Sequence, residues 1–239
     1  MKRVKTYSIV CILILLNACV VYYPQTVDIP LIKEKGDMRI NAGYALSPSV
    51  EQDPDTDGIE ATLSVHGSLS YGLTNVVAAQ AYLNFDFLGR SHIQGSVGLF
   101  KKLENDFVAE LYGGYGLGTG GFQEENTKPD RYHLPFSQFN IGKSSKLSPK
   151  LHFDYALGIK VGYLFTDYKE SNLSDQRNGR VFEPSVSLRL GGKKVRGSLI
   201  VNRLWLANND PLHKTNISLG INISLNTLHK TDKKMPVLN

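Results

Sequence analysis

The sequence predicts an all-β protein, an up-and-down antiparallel transmembrane β-barrel of about ten strands. Two observations carry this. Apolar and polar residues alternate with a period of two from about residue 37 onward. The connections between the alternating segments are short and long in turn, as in a meander with tight turns at one end and long loops at the other.

The clearest strand is 216–225. There Ile217, Leu219, Ile221, Ile223 and Leu225 share one face, and Ser218, Gly220, Asn222 and Ser224 share the other. Residues 151–165 repeat the pattern, with Leu151, Phe153, Tyr155, Leu157, Ile159, Val161, Tyr163 and Phe165 set against His152, Asp154, Gly158 and Lys160. Further strands are expected at 37–46, 59–73, 76–88, 92–102, 107–119, 132–143, 181–191 and 195–206. In 132–143, Leu134 and Phe136 fall out of phase with Phe139 and Ile141, and a β-bulge near Pro135 would repair this. Pro184 is tolerable near a strand start. Short turns fall at 74–75, 103–106, 144–150 and 192–194, and long polar loops at 47–58, 120–131, 166–180 and 207–215. The 89–91 connection is short but lies on the long-loop side.

The N-terminus has a basic head, an apolar run and Leu16-Asn17-Ala18-Cys19. This reads as a secretory signal over 1–18, because the apolar run is too short for a membrane helix of about 20 residues. Leu16 to Cys19 has the form of a lipobox, with Cys19 as the acylated residue. Residues 19–36 read as a lipidated tether, 37–226 as the barrel and 227–239 as a basic periplasmic tail. An even strand count puts both ends of the barrel on the short-turn side, so the anchor is expected on the periplasmic face. Cys11 lies in the leader, which leaves Cys19 without a disulfide or zinc partner.

The formal net charge is +5. Lys2, Arg3 and Lys5 belong to the leader, and the remaining 24 basic against 22 acidic residues give nucleic-acid binding no support. Alternation alone does not say which face meets lipid. The polar face is rich in Ser, Thr, Gly, Asn and Gln, with few charges. Arg39, Lys160, Arg189 and Arg196 stand against Glu60, Asp86, Glu110, Asp154 and Glu183. With His66, these read as an enclosed polar network, since unpaired buried charge is very costly. Outward-phase aromatics, Tyr44, Phe85, Phe87, Tyr115, Tyr163, Phe165 and Trp205 at one end and Tyr71, Phe107 and Phe153 at the other, read as interfacial girdles.

The lipobox, Gly36-Asp37-Met38-Arg39-Ile40, Gly72-Leu-Thr-Asn75, Tyr112-Gly-Gly-Tyr-Gly-Leu-Gly118, Gln138-Phe-Asn-Ile-Gly142 and Phe182-Glu-Pro-Ser-Val-Ser-Leu-Arg189 together carry a resemblance. The chain resembles the small outer-membrane β-barrel lipoproteins of Bacteroidota-type Gram-negative bacteria over most of its mature length. The resemblance implies a diacylglycerol and an acyl group such as palmitate on Cys19, and no other cofactor. It implies outer-membrane lipid and lipopolysaccharide as surroundings, and the barrel-insertion and lipoprotein-processing machineries as partners. It carries no catalytic residue. The chain departs from many such barrels in closing its last strand near Leu225 without a terminal aromatic.

Three motifs read as other chemistry and are set aside. Gly116-Leu-Gly-Thr-Gly-Gly121 matches a dinucleotide fingerprint but no helical stripe follows, so its glycines are expected to bend a strand or keep inward positions small. Asp53-Pro-Asp-Thr-Asp-Gly58 opens like a calcium loop but has Ser64 where the bidentate Glu belongs. Glu60, Ser64, His66, Ser68, His152 and Asp154 are the inward candidates for a hydrolase. Same-strand neighbours two residues apart lie too far from each other for a nucleophile–base bond, leaving only a cross-strand pair. Ten strands should be mostly plugged rather than form a general pore.

The expected function is therefore a lipid-anchored, non-enzymatic outer-membrane barrel with a structural or loop-binding role. A lipid-modifying enzyme (deacylase, phospholipase or acyltransferase) is the alternative, and a periplasmic lipid-binding barrel is third.

Overall fold

The structure is a computed structural model, described here for residues 25–49, 60–87, 89–119, 131–166, 178–207 and 212–226. Ten antiparallel strands run in sequence: β1 (Asp37–Ser49), β2 (Glu60–Gly72), β3 (Val77–Asp86), β4 (Ser91–Lys102), β5 (Phe107–Thr119), β6 (Arg131–Lys146), β7 (His152–Thr166), β8 (Gly179–Gly191), β9 (Val195–Ala207) and β10 (Leu212–Asn226). Each pairs with its sequence neighbours, and β1 pairs with β10, so the barrel is closed and no edge is left open.

Short turns are held by local bonds. Thr74 Oγ1 accepts from the amides of Val76 and Val77, at 3.2 and 2.9 Å. Ser148 Oγ does the same for Lys150 and Leu151. Such hydroxyl-to-backbone bonds favour turns over continued pairing. On the opposite side the tight β3–β4 connection is stapled by Asp86, whose carboxylate accepts from the Arg90 amide at 2.8 Å and from its guanidinium.

The burial pattern is inverted relative to a soluble barrel. Outward positions carry Leu69, Leu83, Ile93, Val97, Leu99, Leu111, Leu157, Val186, Leu219 and Ile221, all exposed. Inward positions carry buried Asn41, Ser68, Gln80, Asn84, Gln94, Gln138, Asn140, Ser187, Asn202 and Asn222. Outward-facing aromatics gather at the two rims. Tyr44, Phe85, Phe87, Tyr115, Tyr163 and Phe165 are exposed toward the long-loop end, where Phe182 stacks on Trp205 at 5.3 Å. Phe107, Phe153 and Tyr155 cluster near the short turns.

Two expectations are corrected. β6 has no bulge at Pro135: its pairing with β5 runs unbroken from Phe107–Lys143 to Thr119–Arg131. The alternation never breaks, because Tyr132, Leu134 and Phe136 point inward, where they are buried with Leu164, Val181, Leu204 and Leu206. The inward face there is simply apolar. Second, residues 25–36 are not a free tether. Gln25, Thr26, Val27, Asp28, Ile29, Leu31 and Ile32 are buried inside the barrel. The chain turns out of the lumen at Gly36, whose φ of 77° suits a residue without Cβ, and enters β1 with the Gly36 amide bonded to the Gly72 carbonyl.

Candidate functional site: the filled lumen

A peptide segment inside a barrel brings backbone amides and carbonyls that need partners away from water. The inward polar face supplies them. The Asp28 carbonyl accepts from Gln80 Nε2 at 3.3 Å and Gln138 Nε2 at 2.9 Å. The Ile32 amide donates to Glu110 Oε1 at 2.7 Å, and the Thr26 amide to the Tyr82 hydroxyl at 3.0 Å. Asn202 Nδ2 donates to the Gln25 carbonyl at 2.8 Å. These partners come from β3, β5, β6 and β9, which places the segment within the ring of strands.

Its one buried carboxylate is the centre of the seat. Asp28 accepts from Ser68 Oγ at 2.6 Å, Asn41 Nδ2 at 3.3 Å and Arg189 Nη2 at 3.1 Å. Arg189 also donates to the Ile29 carbonyl. The apolar side chains find matching gaps. Ile29 and Leu31 pack with Val108 and Ala156, and Ile32 with Ala78, Phe100 and Tyr112. A methyl group on inward Gly158 would come within 2.8 Å of Ile29, and one on Gly142 within 2.8 Å of Leu31. The wall is recessed where the segment passes.

The other charges expected inside are placed as follows. Lys160 pairs with Glu183 at 2.6 Å, with both side chains enclosed. Arg196 pairs with Asp154, and Arg39 with Asp37 at 3.3 Å. Asp86 pairs with Arg90 at the rim. Among the described residues, Glu110 takes no cation as direct partner. It accepts instead from Ile32 and from Asn140 Nδ2 at 3.0 Å. The side chain of Glu60, the 53–58 acidic run and Cys19 lie outside the described residues.

Asp28, Asp37 and Arg90 were missed as partners, and so was an aromatic row across the wall. His66 stacks on Tyr82, Tyr82 meets His92, and His92 stacks on Tyr132 at 5.6 Å while its Nδ1 lies 2.8 Å from the Tyr132 hydroxyl. β5 stands between His92 and Tyr132, and the pair meets only because β5 places Gly118 at that level. A methyl there would lie 2.0 Å from the Tyr132 ring. The glycine run of β5 thus keeps inward positions small.

Of the hydrolase candidates, His66 Nε2 lies 2.5 Å from Ser218 Oγ, across β1. This is a cross-strand pair, the kind that same-strand spacing left open, with Ser218 a partner outside the candidate set. Both residues are fully enclosed, Ser68 is committed to Asp28, and Asp154 to Arg196. Two surface hollows, of about 370 and 520 Å³, lie elsewhere, one around Phe153, Leu190 and Leu219 and the other around Val76, Leu111 and Phe139.

No protein-family model and no curated protein matches the sequence. Among solved structures, the chain is similar to the β-domain of the Bordetella autotransporter BrkA, at 11% identity and a TM-score of 0.47, over 80% of this chain and 100% of that one. It is also similar to Ail, the attachment invasion locus protein of Yersinia pestis (11%, 0.33, over 80% and 99%). A third is the NanC porin (11%, 0.39, over 79% and 100%).

Proposed function

We propose that the chain is an integral outer-membrane barrel, acylated at Cys19, that stoppers its own lumen with residues 25–36 and works through its long-loop face rather than as an open pore or an enzyme. The observation that carries this reading is the inverted burial: a belt of exposed Leu, Ile, Val and Phe around a wall whose polar residues face inward. In water that belt would be an aggregation surface, whereas in a bilayer it is the stable arrangement. The strands, at 10 to 16 residues, reach or exceed the 9–11 that a tilted membrane strand needs. The rim aromatics suit headgroup depth, and lipid and lipopolysaccharide are the surrounding partners. The barrel-insertion and lipoprotein-processing machineries act before that. A periplasmic lipid carrier would need an open apolar cavity, and the described lumen is already filled, by residues 25–32 and by inward side chains. An enzyme would need access to His66 and Ser218, which lie enclosed.

Gel mobility of unboiled, detergent-extracted Cys19→Ala protein tests the reading. The expected result is a compact, faster-migrating band from the membrane fraction. Release into the soluble fraction with no shift would overturn it. In planar bilayers the intact chain should conduct poorly, and deletion of residues 25–32 should raise single-channel conductance several-fold. Equal conductance of the two would remove the stopper from the proposal.

A further inference from the structure

The luminal segment has a direction, and β3 records it. Its inward residues from the short turn outward are Ala78, Gln80, Tyr82 and Asn84. Ile32 packs at Ala78. Gln80 reaches the Asp28 carbonyl, Tyr82 takes the Thr26 amide, and Asn84 Nδ2 donates to Gln25 Oε1 at 3.0 Å. Read toward the N-terminus, the segment climbs from the short-turn mouth to the long-loop mouth. The opposite wall agrees. Thr26 Oγ1 accepts from Asn216 Nδ2 at 3.2 Å and Gln25 is bonded by Asn202, both in the long-loop halves of their strands.

A return path down the lumen would run through space that described side chains occupy. Beside the upper part of the segment the interior is filled by His66, Tyr82, His92 and Tyr132, and beyond them by Leu134, Phe136, Leu164, Val181, Leu204 and Leu206. From Asn84 to the end of β3 at Asp86 is only about 7 Å of strand. The roughly six steps from Gln25 back to Cys19 can span about 20 Å when extended.

We infer that the chain ahead of Gln25 leaves the barrel through the long-loop mouth, so that Cys19 and its acyl chains belong to the outer leaflet. This reverses the periplasmic anchor expected from strand parity. Parity fixes where Asp37 and Asn226 lie, and the luminal segment then carries the N-terminus to the other side. The words inner and outer rest on the outer-membrane reading above; the threading does not.

The test uses single cysteines in the full chain with Cys11→Ala and Cys19→Ala, labelled by a membrane-impermeant maleimide in intact and in permeabilised cells. Lys150→Cys reports the short-turn side, Asp55→Cys the β1–β2 connection, and Tyr22→Cys the leading segment. Val20→Cys serves as a second position should the rim shield residue 22. The expected result is that Tyr22→Cys labels in intact cells together with Asp55→Cys, while Lys150→Cys labels at least tenfold more after permeabilisation. Labelling of Tyr22→Cys in step with Lys150→Cys would overturn the inference. If Asp55→Cys is the protected site and Lys150→Cys the open one, the assigned orientation of the barrel fails. The pairing of Tyr22→Cys with Asp55→Cys would still decide the threading. Soluble protein would instead mark failure of the membrane reading.

Discussion

The lumen is filled in two different ways. Along β1, β2, β3 and β8 a stretch of main chain fills it, and polar side chains from the wall are bonded to that chain. At the long-loop ends of β6 to β9 the wall fills the space with its own side chains, Tyr132, Leu134, Phe136, Leu164, Val181, Leu204 and Leu206. The difference is physical. A peptide inserted from elsewhere brings amides and carbonyls that must be satisfied, so its seat has to be polar and sculpted with glycines. Side chains rooted in the sheet bring no new backbone, so apolar packing suffices. The first filling can in principle leave; the second cannot.

The largest expected effect falls on the removable filling. Arg189→Met strands the Asp28 carboxylate without its cation, at a cost of about 3–5 kcal/mol. It should lower the temperature at which the gel shift is lost and raise conductance, while Asp28→Asn with Arg189→Met should recover part of both. Leu204→Ala attacks the fixed filling, costing about 2–5 kcal/mol by cavity formation. Its temperature of gel-shift loss should fall without any rise in conductance, and a conductance rise equal to that of Arg189→Met would erase the distinction. Gly118→Ala presses on Tyr132 where the two regions meet, and overpacking of about 1–3 kcal/mol is expected, read from the same melting experiment. The smallest effect lies outside both. Asp106, in the exposed β4–β5 turn, has its carboxyl held below the usual range by its hydrogen bond to Lys102 and by that ammonium's charge. Any stability it lends is present above the unfolded pKa and fades as pH falls through the folded one. Solvent screens the pair, so Asp106→Asn should leave melting between pH 3 and 7 unchanged within error.

The barrel was legible because its signal is local. Alternation in 151–165 and 216–225 fixes which side chains point out, and loop lengths fix the meander. The misplaced bulge came from treating apolar residues as always outward, which Leu134 and Phe136 violate. The luminal segment was not legible for two reasons. Pro30 and the positive φ of Leu31 break any strand period within it. Its partners also lie far away in sequence, with Gln25 and Asn202 separated by 177 positions. A trace was present all the same. Toward the short turns, inward Ala78, Phe100, Val108 and Ala156 stand among polar neighbours, and inward Gly142 and Gly158 leave hollows that some other part of the chain had to fill. Arg189 lies opposite Asp154 in the register, but Asp154 pairs with Arg196, and Arg189 takes its acid from the luminal segment, in Asp28.

A chain running through a closed ring is a mechanical linkage as well as a packing solution. An acylated end is a bulky, oily knot that a narrow polar bore would resist passing. If Cys19 carries its lipid before the barrel is built, the sheet has to wrap around a segment already in place, like a cuff fastened round a cord. The fastening is then the β1–β10 seam, where Gly43 and Gly220 lie opposite each other with no room for a side chain between them. Tension on the outer end of the cord would be delivered to that seam through Gly36, the one place where cord and cuff are a single covalent chain.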